Sequence, residues 1–228
     1  MSPSRLTPFQ ERVLAELAGN PAGWTLTGGA ALAGFHTRHR ATRDLDLFWH
    51  ERSDLGDLRR DVEARLRAAG FSVETASTSP HHVRCLVRSG DDQLVIDLVA
   101  DPVRPIEEPT LHDMGGRLIL VDTAREILVN KLTTLIQRTE LRDLVDVGAL
   151  LEKGLDLDRA LAEAPRKDRG FSPLTLAWLL REMPVETMAR AEGASPDLVK
   201  ARVELRDRLL RRVLELVALD QGGAPNSR

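Results

Sequence analysis

The chain has 228 residues, 42% of them hydrophobic and 29% charged, and its formal net charge is −3. These values indicate a globular protein of one large or two small domains, and they exclude a protein that binds nucleic acid over its whole surface. The only cysteine, Cys85, excludes an internal disulfide. We expect a cytoplasmic protein, because we find neither a membrane-spanning apolar run nor the apolar core of a signal peptide.

The first half of the chain predicts a mixed α/β arrangement. Apolar residues at helical spacing, and alternating apolar residues bounded by turn signals, define its elements. We predict helices over 6–17, 30–36 and 54–69, and strands over 24–27, 44–49, 71–75, 82–87, 93–99 and 117–121. The Ser89-Gly90-Asp91-Asp92 sequence predicts a hairpin turn between two of these strands.

Two short motifs in this half point to metal and phosphate chemistry. Gly28-Gly29 ends one strand, and Asp44 and Asp46 alternate with Leu45 in the next. Residues i and i+2 of a strand share a face, so the two carboxylates should point together and repel each other unless a cation lies between them. Mg²⁺ is the natural cation, because it binds oxygen ligands and keeps sites open for phosphates. A glycine pair lets the backbone approach a phosphate closely.

A third carboxylate, Asp97, lies within the otherwise apolar segment Leu94 to Val99. A charge in such a strand is costly unless it is paired or bound to a metal. Asp97 is therefore either a third metal ligand or base, or the partner of an arginine in a salt bridge. The sequence leaves both readings open.

Helical patterns dominate after Asp122, and the chain ends in a segment rich in Gly, Pro, Asn and Ser. We predict an α/β domain over 1–122, a helical domain over 123–220 and a disordered tail over 221–228. The predicted helices cover residues 123–138, 140–152, 157–164, 173–182 and 195–219.

Lys131 is the most informative residue of the helical half. It lies beside the apolar face of its helix, and a half-embedded lysine is costly unless it anchors an anion or extends its ammonium group to the surface. Asp143 and Asp146 share one face of the next predicted helix. They are either part of a site with Lys131 or residues that stabilise the start of that helix.

Together, Gly28-Gly29-Ala30 through Arg43-Asp44-Leu45-Asp46 and the later string Lys131 to Asp146 resemble the AbiEii/AbiGii toxin branch of the polymerase-β-like nucleotidyltransferases. That branch includes the MenT-type toxins. The resemblance implies an α+β nucleotidyltransferase fold, a small mixed β-sheet flanked by helices, followed by a helical domain that completes the cleft. The chain departs from the common pattern at Ala30, where many members carry a nearby Ser or Thr.

The resemblance also implies an enzyme that transfers a nucleotide from a nucleoside triphosphate to an acceptor hydroxyl, most often a tRNA 3′ end. It further implies a cognate antitoxin and Mg²⁺ or Mn²⁺ as cofactor. Asp44, Asp46 and Asp97 would bind the metal. Catalytic roles would fall to Asp44, Asp46, Asp97, Lys131 and Asp143, and nucleotide binding to Thr27, Gly28, Gly29, Arg43, Arg138, Arg142 and Asp146.

Two alternatives remain at this point. The acceptor could be a protein or a small molecule, because a fold does not fix a substrate. The chain could also be an inactive nucleotide-binding module, an alternative that the missing Ser or Thr favours and the intact Asp44/Asp46 pair opposes.

Overall fold

A computed structural model describes residues 4–19 and 23–222. The chain divides into two compact units, with the boundary between Ile127 and Leu128. This division falls inside a helix, whereas the sequence-based boundary precedes that helix at residue 122. The part of the predicted tail beyond residue 222 lies outside the described residues.

The first unit is built on one mixed sheet. Its helices are α1 (Pro8–Leu17), α2 (Gly28–Gly34) and α3 (Leu58–Ala68). Its strands are β1 (Thr25–Thr27), β2 (Asp44–His50), β3 (Ser72–Thr78), β4 (His82–Ser89), β5 (Asp92–Asp101), β6 (Thr110–Asp113) and β7 (Leu118–Val121). The strand order is β3-β4-β5-β2-β1-β7-β6, in which β2 pairs with β5, and β1 with β7, in parallel.

Strand β2 forms because apolar and polar residues alternate along it. Leu45, Leu47 and Trp49 are buried on one face, and Asp44 and Asp46 are half-buried on the other. This is the pattern of a strand with one face against the core. The alternation that the sequence predicted is confirmed, and it places both carboxylates on the polar face of the sheet.

A capping box explains the start of helix α1, and the start of helix α3 differs from the prediction. The hydroxyl of Thr7 accepts from the Gln10 backbone N–H, and the Gln10 side chain accepts from the Thr7 N–H, which is a capping box. Helix α3 begins at Leu58 rather than at the predicted Asp54. The residues before it form turns, so Asp54 is not the residue at which this helix begins.

The second unit is helical. Helix α4 (Ala124–Arg138) begins before the division and continues into this unit, and it is followed by α5 (Leu141–Glu152), α6 (Leu157–Lys167), α7 (Pro173–Glu182), α8 (Val185–Ala191) and α9 (Pro196–Gly222). The 27-residue α9 packs against α5, α7 and α8. Helix α9 extends through Gln221 and Gly222, the first two residues of the predicted tail. Among residues 4–19 and 23–222, every helix is too short or too polar to cross a membrane.

Candidate active site

The polar face of the sheet brings four of the important side chains into one row. Thr27 pairs with Asp46, Asp46 with Asp97, and Asp97 with Arg84, on the neighbouring strands β1, β2, β5 and β4. Paired residues of adjacent strands point to the same face about 5 Å apart. The structure therefore places the predicted third carboxylate beside Asp46, although the two residues are far apart in the sequence.

Asp97 is held by the side chains of Arg84 and His82. Arg84 donates from Nε to Asp97 Oδ1 at 2.9 Å and from Nη2 to Oδ2 at 2.8 Å, and His82 Nε2 lies 2.7 Å from Oδ1. Burial alone would raise the pKa of Asp97, but these hydrogen bonds and charges outweigh it and lower the pKa. The salt-bridge reading of Asp97 thus describes this conformation, and a metal would compete with Arg84 for the same oxygens.

Arg84 also responds to the two carboxylates on β2. Its hydrogen bonds to Asp97 raise its pKa, and the charges of Asp97, Asp44 and Asp46 raise it further. The guanidinium therefore balances part of the negative charge that the sheet collects on this face.

His82 and Cys85 belong to opposite faces of β4. His82 points with Arg84 toward Asp97, whereas Cys85 is 2% exposed on the core side. Burial raises the pKa of the Cys85 thiol to about 11. The two side chains therefore point to opposite sides of the sheet.

The glycine turn lies directly against Asp46. Gly28 has φ +61°, a conformation that L side chains rarely adopt, and a Cβ built on it would lie 2.3 Å from Asp46 Oδ2. Glycine at this position therefore lets the backbone close over the carboxylate. Thr27, the residue before α2, is 4% exposed.

The basic loop between α2 and β2 returns to the same turn. A Cβ on Gly29 would lie 3.0 Å from Thr42 Oγ1 and 3.2 Å from Arg40 Nη2. One guanidinium of the loop is thus placed at the glycine pair. Arg43, also predicted to bind nucleotide, is exposed on this loop.

Asp44 and Asp46 fit a hard divalent cation. Both offer carboxylate oxygens from one face of one strand, and the Gly28 backbone leaves room for the Asp46 carboxylate. Mg²⁺ commonly binds through one or two carboxylates and takes its other ligands from substrate phosphates and water. Within the described ranges, no group of three or more His, Cys, Asp and Glu side chains is gathered as a metal site.

A second charged cluster lies in the helical unit. Lys131 Nζ of α4 lies 2.7 Å from Asp143 Oδ1 and 2.8 Å from Asp146 Oδ2, both on α5. Arg138 donates from Nε and Nη2 to the two oxygens of Asp143 at 2.8 and 2.9 Å. Both aspartates are fully buried and Lys131 is 7% exposed.

This cluster balances its own charges. Burial would raise the pKa of Asp143, but Arg138 and Lys131 outweigh it and lower the pKa. The structure brings Lys131 and Asp146 together, and the lysine faces carboxylates in the described structure. Arg142 forms an ion pair with Glu140 at the start of α5, and its side chain is 45% exposed.

The profile of a family described as nucleotidyl transferase AbiEii toxin, type IV toxin–antitoxin system, matches residues 12–216 of the chain. The chain belongs to the AbiEii toxin family. As an AbiEii member it is a nucleotidyltransferase, which implies a nucleoside triphosphate substrate and an antitoxin partner. No curated protein matches the chain.

Solved structures show the same fold at low identity. The crystal structure of JHP933 from Helicobacter pylori has a TM-score of 0.56 and 18% identity, with 92% of each chain covered. A second H. pylori protein, described as a candidate nucleotidyltransferase, has a TM-score of 0.52 and 19% identity, with 90% of this chain and 93% of that chain covered. The nucleotidyltransferase fold expected from the sequence is confirmed.

In this AbiEii chain, sequence reasoning missed several residues around the acidic pair. Arg84 and His82 hold Asp97, and Thr42 donates from Oγ1 to Asp44 Oδ1 at 2.6 Å. Gln10 in turn donates to the Thr42 carbonyl. The one available signal was that a buried carboxylate in an apolar strand requires a partner.

A histidine network lies elsewhere in the same unit. His50 Nδ1 is 3.2 Å from Asp101 Oδ2, and His50 Nε2 is 3.0 Å from Asp122 Oδ1. Each ring nitrogen of His50 thus faces a carboxylate oxygen, one of Asp101 and one of Asp122. His36 Nε2 donates to the Asp122 carbonyl at 2.7 Å, and burial lowers the pKa of His36.

Proposed function

We propose that this AbiEii enzyme uses Mg²⁺ to transfer a nucleoside monophosphate from a nucleoside triphosphate to the 3′ hydroxyl of a tRNA. The transfer arrests growth, and the cognate antitoxin restrains it. The observation that carries the proposal is the pairing of Asp44 and Asp46 on one face of β2, with the Gly28 backbone against Asp46. Mn²⁺ has the same ligand preference and serves as a probe.

Asp44 and Asp46 would hold the cation, which when bound neutralises phosphate charge and orients the triphosphate. The backbone of Gly28 and Gly29, with Thr27 beside it, faces the phosphates in this proposal. Arg40 lies at the same turn, and Arg43 on the same loop can reach an anion from solvent.

The reaction joins the acceptor oxygen to the α-phosphorus and breaks the bond between the α-phosphorus and the bridging oxygen. Pyrophosphate leaves with that electron pair, and the proton of the hydroxyl is released. Asp97 and Asp143 are the two candidates for orienting or deprotonating the hydroxyl. Cationic neighbours lower the pKa of both, which favours orientation over proton removal.

Lys131 has the role that the family resemblance implies, the stabilisation of phosphate charge as pyrophosphate leaves. Asp143 and Asp146 hold its ammonium group in one position. A fixed cation stabilises developing charge better than a mobile one, because it needs no reorganisation during the reaction. Arg138 supports this arrangement through Asp143, and Arg142 lies at the start of the same helix.

The choice of tRNA as acceptor rests on the family resemblance and on the arginines of the loop before β2. The net charge of −3 limits an RNA footprint to such local surfaces. Transfer to a protein or to a small molecule uses the same chemistry, so the test must identify the labelled product.

The test incubates the purified chain with tRNA, Mg²⁺ and each of four α-labelled nucleoside triphosphates in turn. We expect label on tRNA with at least one of them. Asp46→Asn keeps the shape and removes the charge, and it should lower the rate by about 100-fold or more, since a metal ligand is lost. Asp91→Asn in the exposed β4–β5 turn is the matched control and should keep the wild-type rate.

Each other result has a distinct meaning. Label on the protein with none on tRNA would identify a protein acceptor. Absence of label, together with triphosphate binding that calorimetry still detects, would identify an inactive nucleotide-binding module. Full activity of Asp46→Asn would contradict the assignment of the metal site.

A further inference from the structure

Thr42 lies between the glycine turn and the first carboxylate. Its side chain donates from Oγ1 to Asp44 Oδ1 at 2.6 Å, and the residue is only 6% exposed. Its carbonyl accepts from Gln10 Nε2 at 3.2 Å, and Gln10 is 1% exposed. A buried donor that is itself held by a buried amide has little freedom to turn away.

The position of Gln10 is fixed in turn by the first helix. Its Oε1 accepts from the Thr7 backbone N–H at 2.8 Å, and the Thr7 hydroxyl accepts from the Gln10 backbone N–H at 3.1 Å. The capping box of α1 therefore supports a chain of hydrogen bonds that ends on Asp44.

Gly29 provides the space that the Thr42 hydroxyl occupies. A Cβ on Gly29 would lie 3.0 Å from Thr42 Oγ1 and 3.5 Å from Thr42 Cβ. Gly29 does not have the left-handed φ of Gly28. Glycine is therefore needed at position 29 because Thr42 occupies the space that a side chain would take.

We propose that Thr42 is a positioning residue for Asp44, and that its hydroxyl places a side-chain oxygen beside Gly29, where neither Gly29 nor Ala30 offers one. A neutral hydroxyl fixes the carboxylate without adding the positive charge that Arg84 adds at Asp97. One Asp44 oxygen is oriented by Thr42, so that the carboxylate presents a fixed geometry to a cation. This inference rests on the proposed metal-dependent function.

The first test measures Mn²⁺ affinity by electron paramagnetic resonance, without nucleotide. Thr42→Val keeps the shape and removes the hydroxyl, and it should weaken Mn²⁺ binding by about 10- to 100-fold, the usual effect of losing a residue that orients a ligand. Thr42→Ser keeps the hydroxyl and should stay within about threefold of wild type, since the orienting bond remains. Thr75→Val is the matched control, because Thr75 also donates to a carboxylate, that of Glu63, in the same unit. It should bind Mn²⁺ like wild type.

The second test asks whether Gly29 and Thr42 share one space. Gly29→Ser alone should weaken Mn²⁺ binding, because its side chain meets the Thr42 hydroxyl. The double variant Gly29→Ser/Thr42→Ala should bind more tightly than the product of the two single effects predicts, because the alanine clears the space for the serine.

Wild-type Mn²⁺ affinity in Thr42→Val, or equal losses in Thr42→Val and Thr42→Ser, would overturn the positioning role. Additive effects of the two substitutions on Mn²⁺ affinity would contradict the conclusion that Gly29 and Thr42 share one space. A wild-type chain that binds no Mn²⁺ would contradict the proposed function and this inference together, whereas a binding wild type with an unaffected Thr42→Val contradicts the inference alone. Urea unfolding of each variant separates loss of the site from loss of the fold.

Discussion

Arg84 sets the charge balance of the acidic face. The side chain of Asp97 is 7% exposed, and both of its oxygens accept from Arg84. A carboxylate buried to this degree is stable only while its partners remain, because the penalty for removing it from water has already been incurred. The arginine, 51% exposed, can leave without crossing the core.

Arg84→Gln should lower the free energy of unfolding by about 1–2 kcal/mol at neutral pH, the lower part of the range for an abandoned buried acceptor, because the arginine is half exposed. Urea unfolding measures this. Arg88→Gln is the matched control on the same strand, where the arginine pairs with the exposed Glu74. Its expected cost is below about 0.5 kcal/mol, and equal costs for the two variants would contradict the argument.

The pairing of helices α4 and α5 depends on a buried ion cluster. Lys131 faces two aspartates that are fully buried, and Arg138 faces one of them from a half-exposed position. Breaking a buried pair by removing one partner costs more than replacing the whole pair, because an uncompensated charge remains. The lysine is therefore a structural residue of the helix pair as well as a proposed catalytic one.

Lys131→Met should lower the free energy of unfolding by about 3–5 kcal/mol. Lys131→Met/Asp146→Asn removes one charge of each sign, and it should recover part of that loss. Chemical denaturation of both variants measures the difference. A Lys131→Met protein as stable as wild type would show that this cluster does not hold the helices, and activity loss in the double variant would then report on catalysis alone.

The sequence predicted β2, which alternates over seven residues, and also the short strands β1 and β7. It missed β6 and α8, of four and seven residues, which form in their tertiary context. The hairpin at Gly90 was predicted, because its turn residues are local signals and Gly90 has φ +59°.

The site was predicted where neighbours in sequence are neighbours in space. Asp44 and Asp46 follow from strand alternation. The contacts of Asp97 with Arg84, and of Thr42 with Gln10, depend on strand register and on helix docking, which a single sequence does not encode locally. Lys131 and Asp143 were proposed as one cluster, but their direct pairing required the packing of α4 on α5.

The acid response of the whole protein should separate into two ranges. Burial lowers the pKa of His36 and of His112 below the ordinary 6.5. The pKa of Asp97, Asp143 and Glu63 is also lowered, and in each case hydrogen bonds from cations outweigh burial. The histidines therefore change the free energy of unfolding near neutral pH, and the carboxylates change it only in acid.

The direction of each pH effect on the free energy of unfolding depends on whether the folded or the unfolded chain binds more protons. Below about pH 6.5 the unfolded chain binds protons at these histidines that the folded chain does not, so the free energy of unfolding falls as the pH falls. The carboxylates contribute stability above about pH 4, and they lose it only as the pH falls through their lowered folded values. Urea unfolding between about pH 8 and about pH 3 should therefore show two separate declines.

His36→Gln keeps an N–H donor for the Asp122 carbonyl and removes the titrating group. It should flatten part of the decline near neutral pH and leave the acid decline unchanged. An unchanged neutral decline in this variant would show that His36 is not its source.

The chemical reactivity of Cys85 can report whether strand β4 stays paired in the sheet. The Cys85 thiol is buried on the core side of the strand, and its raised pKa of about 11 keeps it protonated and unreactive at neutral pH. An alkylating reagent can therefore modify the native chain only during excursions in which β4 leaves the sheet. Such excursions also separate Arg84 from Asp97, because the burial of Cys85 and the contact of Arg84 with Asp97 both depend on the pairing of β4 with β5. The rate of Cys85 alkylation, followed by mass spectrometry of the intact chain, therefore reports how often the contact between Arg84 and Asp97 opens.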